Sequence, residues 1–302
     1  MTGPETGFLL LTSQLGNPER KPLTTAQMRI LSGRVKSAVK AEADRQMQES
    51  DLVALGYSRE MAGRILRLLE DEQLLRHYCS RGERQGCRPL TWLTEGYPTR
   101  VRNRLRNEAP GCLWYKGDLS ILSQPKVALV GSRDIREENR RFAKSIGRQA
   151  ARQGYVLVSG NARGADQAAQ NACLQAGGKV ICVVADRLEE KPAKENVLYI
   201  SEDGFDQDFS AQRAISRNRL IHTLPDVTFV AQANLHTGGT WDGTAKNLHF
   251  CWSRVYCFDD GSSASVELIQ MGAEGIQEYE LENFDILHRQ DMGFLAQWEE
   301  MT

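Results

Sequence analysis

Hydrophobic positions change their rhythm along this chain. Up to about Tyr78 they recur at helical spacing, and from Lys126 they gather into short runs that end abruptly in small and polar residues. The first pattern predicts helices. Thr24-Thr25 would cap one through Ile30, Leu31, Val35 and Val39. Asp51 would cap a short one ended by Leu55-Gly56. Ser58 would cap another through Met61, Ile65, Leu68 and Leu69, with Leu74, Leu75 and Tyr78 continuing or following it. Ahead of these, residues 1–22 hold Gly, Pro and Thr around the apolar patch Phe8-Leu9-Leu10-Leu11. After a break at Arg84-Gln-Gly-Cys87 come a strand over 89–93 and a short helical segment carrying Arg100, Arg102, Arg104 and Arg106. A second strand over 112–117 follows. Arginines at every second position cannot share one helix face, so they read as solvated surface.

From Lys126 the second pattern is regular. Strands are expected over 127–130, 155–159, 180–184, 227–231 and 254–258. Helices are expected over 137–153, 166–176, 209–222, 243–251 and 265–271. A charged connection holding a short apolar run at 197–200 interrupts the series. Strands alternating with helices imply right-handed crossovers and a parallel sheet covered on both faces. The expected class is therefore α/β: a Rossmann-like, mostly parallel sheet with helices on both faces, preceded by a small helical domain. Boundaries are expected at 1–88 for the helical module, 89–275 for the sheet domain and 276–302 for an acidic tail or short helix.

Composition narrows the function without choosing it. The 302 residues are 41% hydrophobic and 25% charged, with a net charge of −1. That sum carries no global basic signal for nucleic acid, although residues 1–120 have a modest basic surplus and the stretch after Ala273 is acidic. The seven cysteines are odd in number and form no C-x-x-C pair. A reducing cytoplasm is expected, with no disulfide framework and no zinc site. No signal peptide and no apolar run of membrane-spanning length are evident.

Four stretches could carry chemistry, and three of them lie where strands end, the edge at which open α/β sheets bind ligands; the other lies in the helix expected over 209–222. In Gly131-Ser132-Arg133, glycine leaves amides open, serine offers a hydroxyl and arginine a charged fork. Ile135 and Arg136 stand where a dinucleotide fingerprint needs its later glycines, so no NAD and no other cofactor is expected. In Ser159-Gly160-Asn161-Ala162-Arg163-Gly164-Ala165-Asp166, two glycines bound a loop. Asp166 could cap the next helix or orient a ribose or an arginine. Arg213 and Arg217 are spaced to share a helix face, with Asn218 and Arg219 beside them. Thr237-Gly238-Gly239-Thr240 leads a helix and could present amides and hydroxyls to an anion. His222, His236 and His249 show no metal-ligand spacing and read as structural or surface residues. Plain strand-to-helix turns and a solvated basic helix are the unspecialised readings of these stretches.

Their order carries a resemblance. Val-Ala-Leu-Val-Gly131-Ser-Arg133, Ser159-Gly160…Gly164-Ala-Asp166, Gly177-Gly178, Arg217-Asn-Arg-Leu-Ile221, Gly-Gly-Thr-Trp241 and Glu267-Leu-Ile-Gln-Met-Gly-Ala273, with Glu95-Gly-Tyr-Pro98 and Leu-Trp-Tyr-Lys-Gly117 upstream, resemble the DprA/Smf family of DNA-processing proteins. The resemblance covers about Leu90 to Ala273, and the family's winged-helix tail is expected to be absent. It implies a protein without catalytic residues that binds single-stranded DNA, usually dimerises to a homodimer and brings a RecA-type recombinase to the strand. The roles implied are recombination, DNA uptake or a related process such as phage defence. The Gly-Ser-Arg motif makes Arg133 the first candidate for a phosphate contact. Arg217, Asn218 and Arg219 would mix DNA contact with pocket architecture. An aromatic platform for base stacking is not evident near Arg133. Two other readings use the same edge. One is a sensor or binder of a small nucleotide. The other is a nucleotide N-glycosidase of the related lysine-decarboxylase-like group, which carries a Pro-Gly-Gly-x-Gly-Thr-x-x-Glu motif. Ala245 occupies that glutamate position, with Asp242 the only nearby substitute, which disfavours an enzyme.

Overall fold

Thr2 and Glu5 begin the chain's first helix. The Thr2 hydroxyl accepts the Glu5 amide, the Glu5 carboxylate accepts the Thr2 amide at 2.7 Å, and Pro4 sits in the first turn. This capping box starts α1 (Gly3–Thr12), and the patch Phe8-Leu11 is its buried part. Four consecutive apolar residues carry no helical period, which is why spacing alone predicts no element there.

The computed structural model describes residues 1–38, 47–202 and 204–285. Val39 and the tail from 286 onward lie outside the described residues. Two compact units divide the chain. The first comprises Met1–Lys116 with Arg187–Glu190 and Ser201–Gln207; the second comprises Gly117–Asp186, Lys191–Ile200 and Asp208–Thr302.

In the first unit, α1 is followed by α2 (Thr25–Ala38), α3 (Glu49–Ala54), α4 (Arg59–Glu70), α5 (Glu72–Arg84) and, after a strand, α6 (Thr99–Leu105). Ser58 caps α4 by accepting the Met61 amide. Asp51, expected as a cap, is instead three residues into its helix turn and accepts the amide of Gln48. Leu31 is buried on α2, whereas Ile30 is exposed. Leu11, Leu23, Leu31, Leu52, Ala62, Ile65 and Leu68 form one apolar cluster. The buried Arg20 guanidinium crosses its edge, pairing with Asp71 at 2.8 Å and donating to the Leu68 carbonyl at 2.9 Å. Strands β1 (Cys87–Thr91) and β2 (Cys112–Lys116) pair antiparallel.

The second unit is built on β3 (Lys126–Val130), β4 (Val156–Ser159), β5 (Lys179–Val183), β6 (Val197–Ser201), β7 (Val227–Val230), β8 (Arg254–Phe258) and β9 (Glu274–Ile276). These run parallel in the order β6-β5-β4-β3-β7-β8-β9. The strands from β3 to β8 are almost wholly buried, as runs of Val, Ile and Leu covered on both faces should be. The apolar run at 197–200 is strand β6, and β9 is a further short strand. Helices α7 (Glu137–Arg152) and α8 (Ala165–Gln175) pack on each other so closely that a side chain at Gly147 would run into the Ala169 carbonyl. The expected helix over 209–222 is two, α9 (Ala211–Ser216) and α10 (Asn218–Thr223), meeting at Arg217. Helix α11 (Gly238–Phe250) begins at the glycines that read as loop, and α12 (Ser263–Gln270) is capped by Ser262.

The chain leaves β3 toward β4 on one side, while β7 lies on its other side. The loops after β3 and β7 therefore part in opposite directions, the switch point at which such sheets open a crevice.

Candidate functional site

Two glycines lock the loops that form the crevice. A Cβ at Gly131 would collide with that of Ala165 and lie 3.3 Å from that of Ala231. Gly164 has φ +84°, and a Cβ there would run into the carbonyl oxygens of Ser132 and Arg133. The loop after β3 and the start of α8 are thus pressed together, with the Ser132 carbonyl accepting the Ala165 amide at 3.2 Å. The Ser132 amide donates to the Gln232 carbonyl at 3.0 Å, which ties the same loop to the one after β7. At this corner the Arg133 side chain is exposed to solvent.

Arg217 supplies the second cation. Its guanidinium lies on Gly160, in the space that a side chain would fill, and the residue is 8% exposed. Among the described residues its buried Nε has no hydrogen-bond partner. Burial depresses its pKa, opposed by the charge of Asp166. Asp166 is itself buried. Its carboxylate accepts the amides of Gly160 at 3.0 Å and Ala162 at 3.2 Å. Burial pushes this carboxyl up to about 6 against the pull of Arg217, those two amides and Arg133.

Around these groups lies a cavity of about 540 Å³. Gly131, Ser132 and Arg133 line it from β3, Asp166 from α8, Arg217 and Asn218 from the α9–α10 junction, and Gly238, Gly239 and Thr240 from the start of α11. The cap residue of α11, Thr237, makes no side-chain hydrogen bond to the first turn, so the amides there carry no side-chain cap. Asn218 is architectural, donating to the Gly239 carbonyl at 2.9 Å. A smaller cavity, about 220 Å³, shares Arg133 and Arg217 and adds Gly160 and the exposed Arg163.

Four of the residues expected at the edge, Ser159, Gly164, Arg213 and Arg219, stand outside both cavities. Ser159 is fully buried and accepts from the Gln170 amide. Arg213 does share its face with Arg217, but its guanidinium donates to the Ala185 and Asp208 carbonyls, both at 2.8 Å, and so clamps the chain beyond β5. Arg219 does not line either space. Neither do Asp242 and Ala245.

Phe209 is the residue that spacing missed. It is 56% exposed, lines both cavities and lies 6.0 Å from the Arg133 guanidinium. The contact puts an exposed ring face beside a cation, next to Arg133, where the sequence shows no aromatic. Ile215, also exposed, extends the apolar wall. His222 lines the larger cavity from below. Burial pushes its pKa down to about 3, which keeps the ring neutral, and Nδ1 lies 3.1 Å from the Asn247 amide nitrogen. No group of His, Cys, Asp and Glu among the described residues could hold a metal ion.

The family model for DNA recombination-mediator protein A matches residues 88–284. The chain belongs to that family. A curated relative, DNA processing protein DprA of Streptococcus pneumoniae, is 37% identical over 143 residues, 43% of this chain and 50% of the relative. In sequence the chain thus spans about half the length of that relative. The X-ray structure of DNA processing protein A from the same organism superposes with a TM-score of 0.67 at 25% identity, over 91% of this chain and 95% of the other. DNA processing protein A from Helicobacter pylori, in a structure concerned with the single-stranded DNA binding mode of that protein, shares the fold with a TM-score of 0.57 at 24% identity. That likeness covers 68% of this chain and 96% of the other. The mostly parallel α/β sheet and the helical N-terminal part agree with these family members.

Proposed function

We propose that this chain binds single-stranded DNA across the strand-end cavity, as a DNA-processing protein of its family. The observation that carries the reading is the convergence of Arg217, Arg133 and Phe209 at one switch point. Arg217 is a buried guanidinium with donor capacity left over, and the exposed Arg133 has an exposed aromatic beside it. A phosphate fits between the arginines and the open amides of α11, and a base fits on Phe209. Charge and stacking of this kind hold a strand without reading its sequence. The Helicobacter pylori relative, whose structure concerns single-stranded DNA, supports the same ligand.

Binding without catalysis is the better reading of the titratable groups. Asp166 is engaged by two amides, His222 is held neutral, and Ala245 stands at the glycosidase glutamate position. Family membership also supports three further expectations: delivery of the strand to a RecA-type recombinase, assembly as a homodimer and residence in the cytoplasm. No described helix is long and apolar enough to cross a membrane.

The test is binding of a fluorescent oligonucleotide across a salt series, with duplex DNA and nucleoside monophosphates as competitors. Single-strand-preferring binding that weakens steeply with salt and is lost in Arg133→Ala is the expected result. Saturable binding of a monophosphate, stronger than that of the oligonucleotide, would replace DNA with a small nucleotide as the cavity's ligand.

A further inference from the structure

Helices α7 and α8 enclose a groove on the outside of the second unit. It has a volume of about 640 Å³, and the site residues above account for only one of the groups lining it. One wall carries Arg140, Lys144 and Arg148, four residues apart along α7; the other carries Gln167, Asn171 and Gln175, four apart along α8. Side chains at that spacing stand in line on a helix, about 6 Å from one to the next. A row of cations therefore faces a row of amides. The groove has a floor of small side chains, including Ala168 and Ala172.

The cations are only partly neutralised. Arg140 lies 3.4 Å from Glu137 on the rim. Arg148 donates to the Ser145 hydroxyl at 2.7 Å, and that hydroxyl donates in turn to Glu278. Lys144 makes no ion pair among the described residues. Amides on the facing wall can donate to phosphate or sugar oxygens and accept from bases, with no charge to repel a polyanion.

Position decides what such a groove is for. Gly164 lines its end, and Gly164 is the residue pressed on the carbonyls of Ser132 and Arg133. The groove thus begins at the loop that presents Arg133 to the strand-end cavity. Because α7 and α8 are in backbone contact at Gly147, their axes are close and the groove between them is narrow, a shape that suits one extended strand better than a duplex.

We infer that the α7–α8 groove is a second track for single-stranded DNA, which continues the strand past Gly164 and lengthens the footprint beyond the cavity. This rests on the reading of the cavity as a DNA site. The cations sit at regular steps along the path, as successive phosphates do.

Fluorescent oligothymidylates of increasing length distinguish the two claims. For the wild-type chain, affinity should rise at least tenfold once the oligonucleotide is long enough to leave the cavity, and the salt dependence should steepen. The double variant Lys144→Gln/Arg148→Gln replaces one half-buried and one exposed cation by a neutral polar side chain and should stay folded, which a thermal unfolding curve checks. It should bind the shortest strands as the wild type does and fail to gain affinity with length. Its salt slope should be shallower by about 0.7 for each phosphate that is no longer neutralised. Arg217→Ala should weaken binding at every length. A benzophenone side chain in place of Asn171 should crosslink to long strands and not to short ones. Equal gain with length in wild type and double variant, or no crosslink at 171, would overturn the groove and leave the cavity reading intact. Absence of binding at every length would overturn the cavity reading itself. Tighter binding of duplex than of single strands, abolished in the double variant, would overturn the single-strand assignment.

Discussion

The guanidinium of Arg217 occupies the place that a side chain at Gly160 would fill. Gly160 is not in the left-handed region, so the glycine is needed there for space and not for conformation. The loop after β4 and the junction of α9 and α10 are fitted to each other at this contact. Gly160→Ala should push the guanidinium aside. An arginine end can move, so the expected stability cost is about 1 kcal/mol. Removing one charged hydrogen bond to phosphate costs about 1.5–3 kcal/mol, or roughly ten- to hundred-fold in affinity. Oligonucleotide titration alongside thermal unfolding checks this. Unchanged affinity in a folded Gly160→Ala variant would remove Arg217 from the binding site.

Gly131 and Ala165 form a similar pair at the next loop. Gly131→Ala alone should cost about 1–3 kcal/mol, because its new methyl meets the Ala165 methyl. Ala165→Gly alone should cost about 1 kcal/mol at the start of α8. Together they relieve the collision, so the double variant should recover at least about 1 kcal/mol relative to the sum of the single costs. Urea unfolding of the four proteins tests this; strict additivity would mean that the loops relax independently.

These two pairs show what a sequence can reveal and what it conceals. The buried runs at β3, β4, β5, β7 and β8 are legible to within a residue or two, since a short apolar run closed by small residues has few other readings. Strand β6 is apolar but follows a charged connection with no helix, and β9 reads Glu274-Gly-Ile276, with no run at all. The glycines of the site are legible as turns. Their partners are not: the Arg217–Gly160 and Gly131–Ala165 contacts join segments far apart in the chain. Phe209 is an exposed aromatic just ahead of α9, read in sequence as the first residue of a helix, and nothing local connects it with Arg133. The four-residue spacing of Arg213 and Arg217 does predict their shared face, but one holds backbone carbonyls and the other faces the cavity.

Asp166 should make binding depend on pH. Its carboxyl is raised to about 6 by burial, with Arg217 and Arg133 opposing. Above that pH the carboxylate competes with a phosphate for Arg217; below it the carboxyl is neutral and the guanidinium is released to the ligand. Binding then takes up a proton, so affinity should rise as pH falls from 7.5 to 5.5. Asp166→Asn keeps an oxygen for the Gly160 and Ala162 amides while removing the charge, and should flatten that part of the profile. An equally steep rise in the variant would assign it to other groups. For folding the sign is the reverse of the usual carboxylate: stability falls as pH rises from the ordinary carboxylate range to about 6, and is level above it.

His222 should contribute to acid lability. Its ring is fully buried against Asn247 and its pKa is pushed down to about 3 by burial, whereas in the unfolded chain it titrates at about 6.5. Between those values the unfolded state binds a proton that the folded state refuses. The contribution of His222 is therefore complete above about pH 6.5 and is lost progressively as pH falls toward 3. His222→Gln retains a polar group for Asn247 without a titrating ring. It should start somewhat less stable at pH 7.5, because a flexible side chain replaces a packed ring. It should then lose less stability than the wild type between pH 6.5 and 4.5. Denaturant midpoints at four pH values check the slope. Parallel curves for the two proteins would show that the ring charges in the folded state and that the cavity beside it admits water.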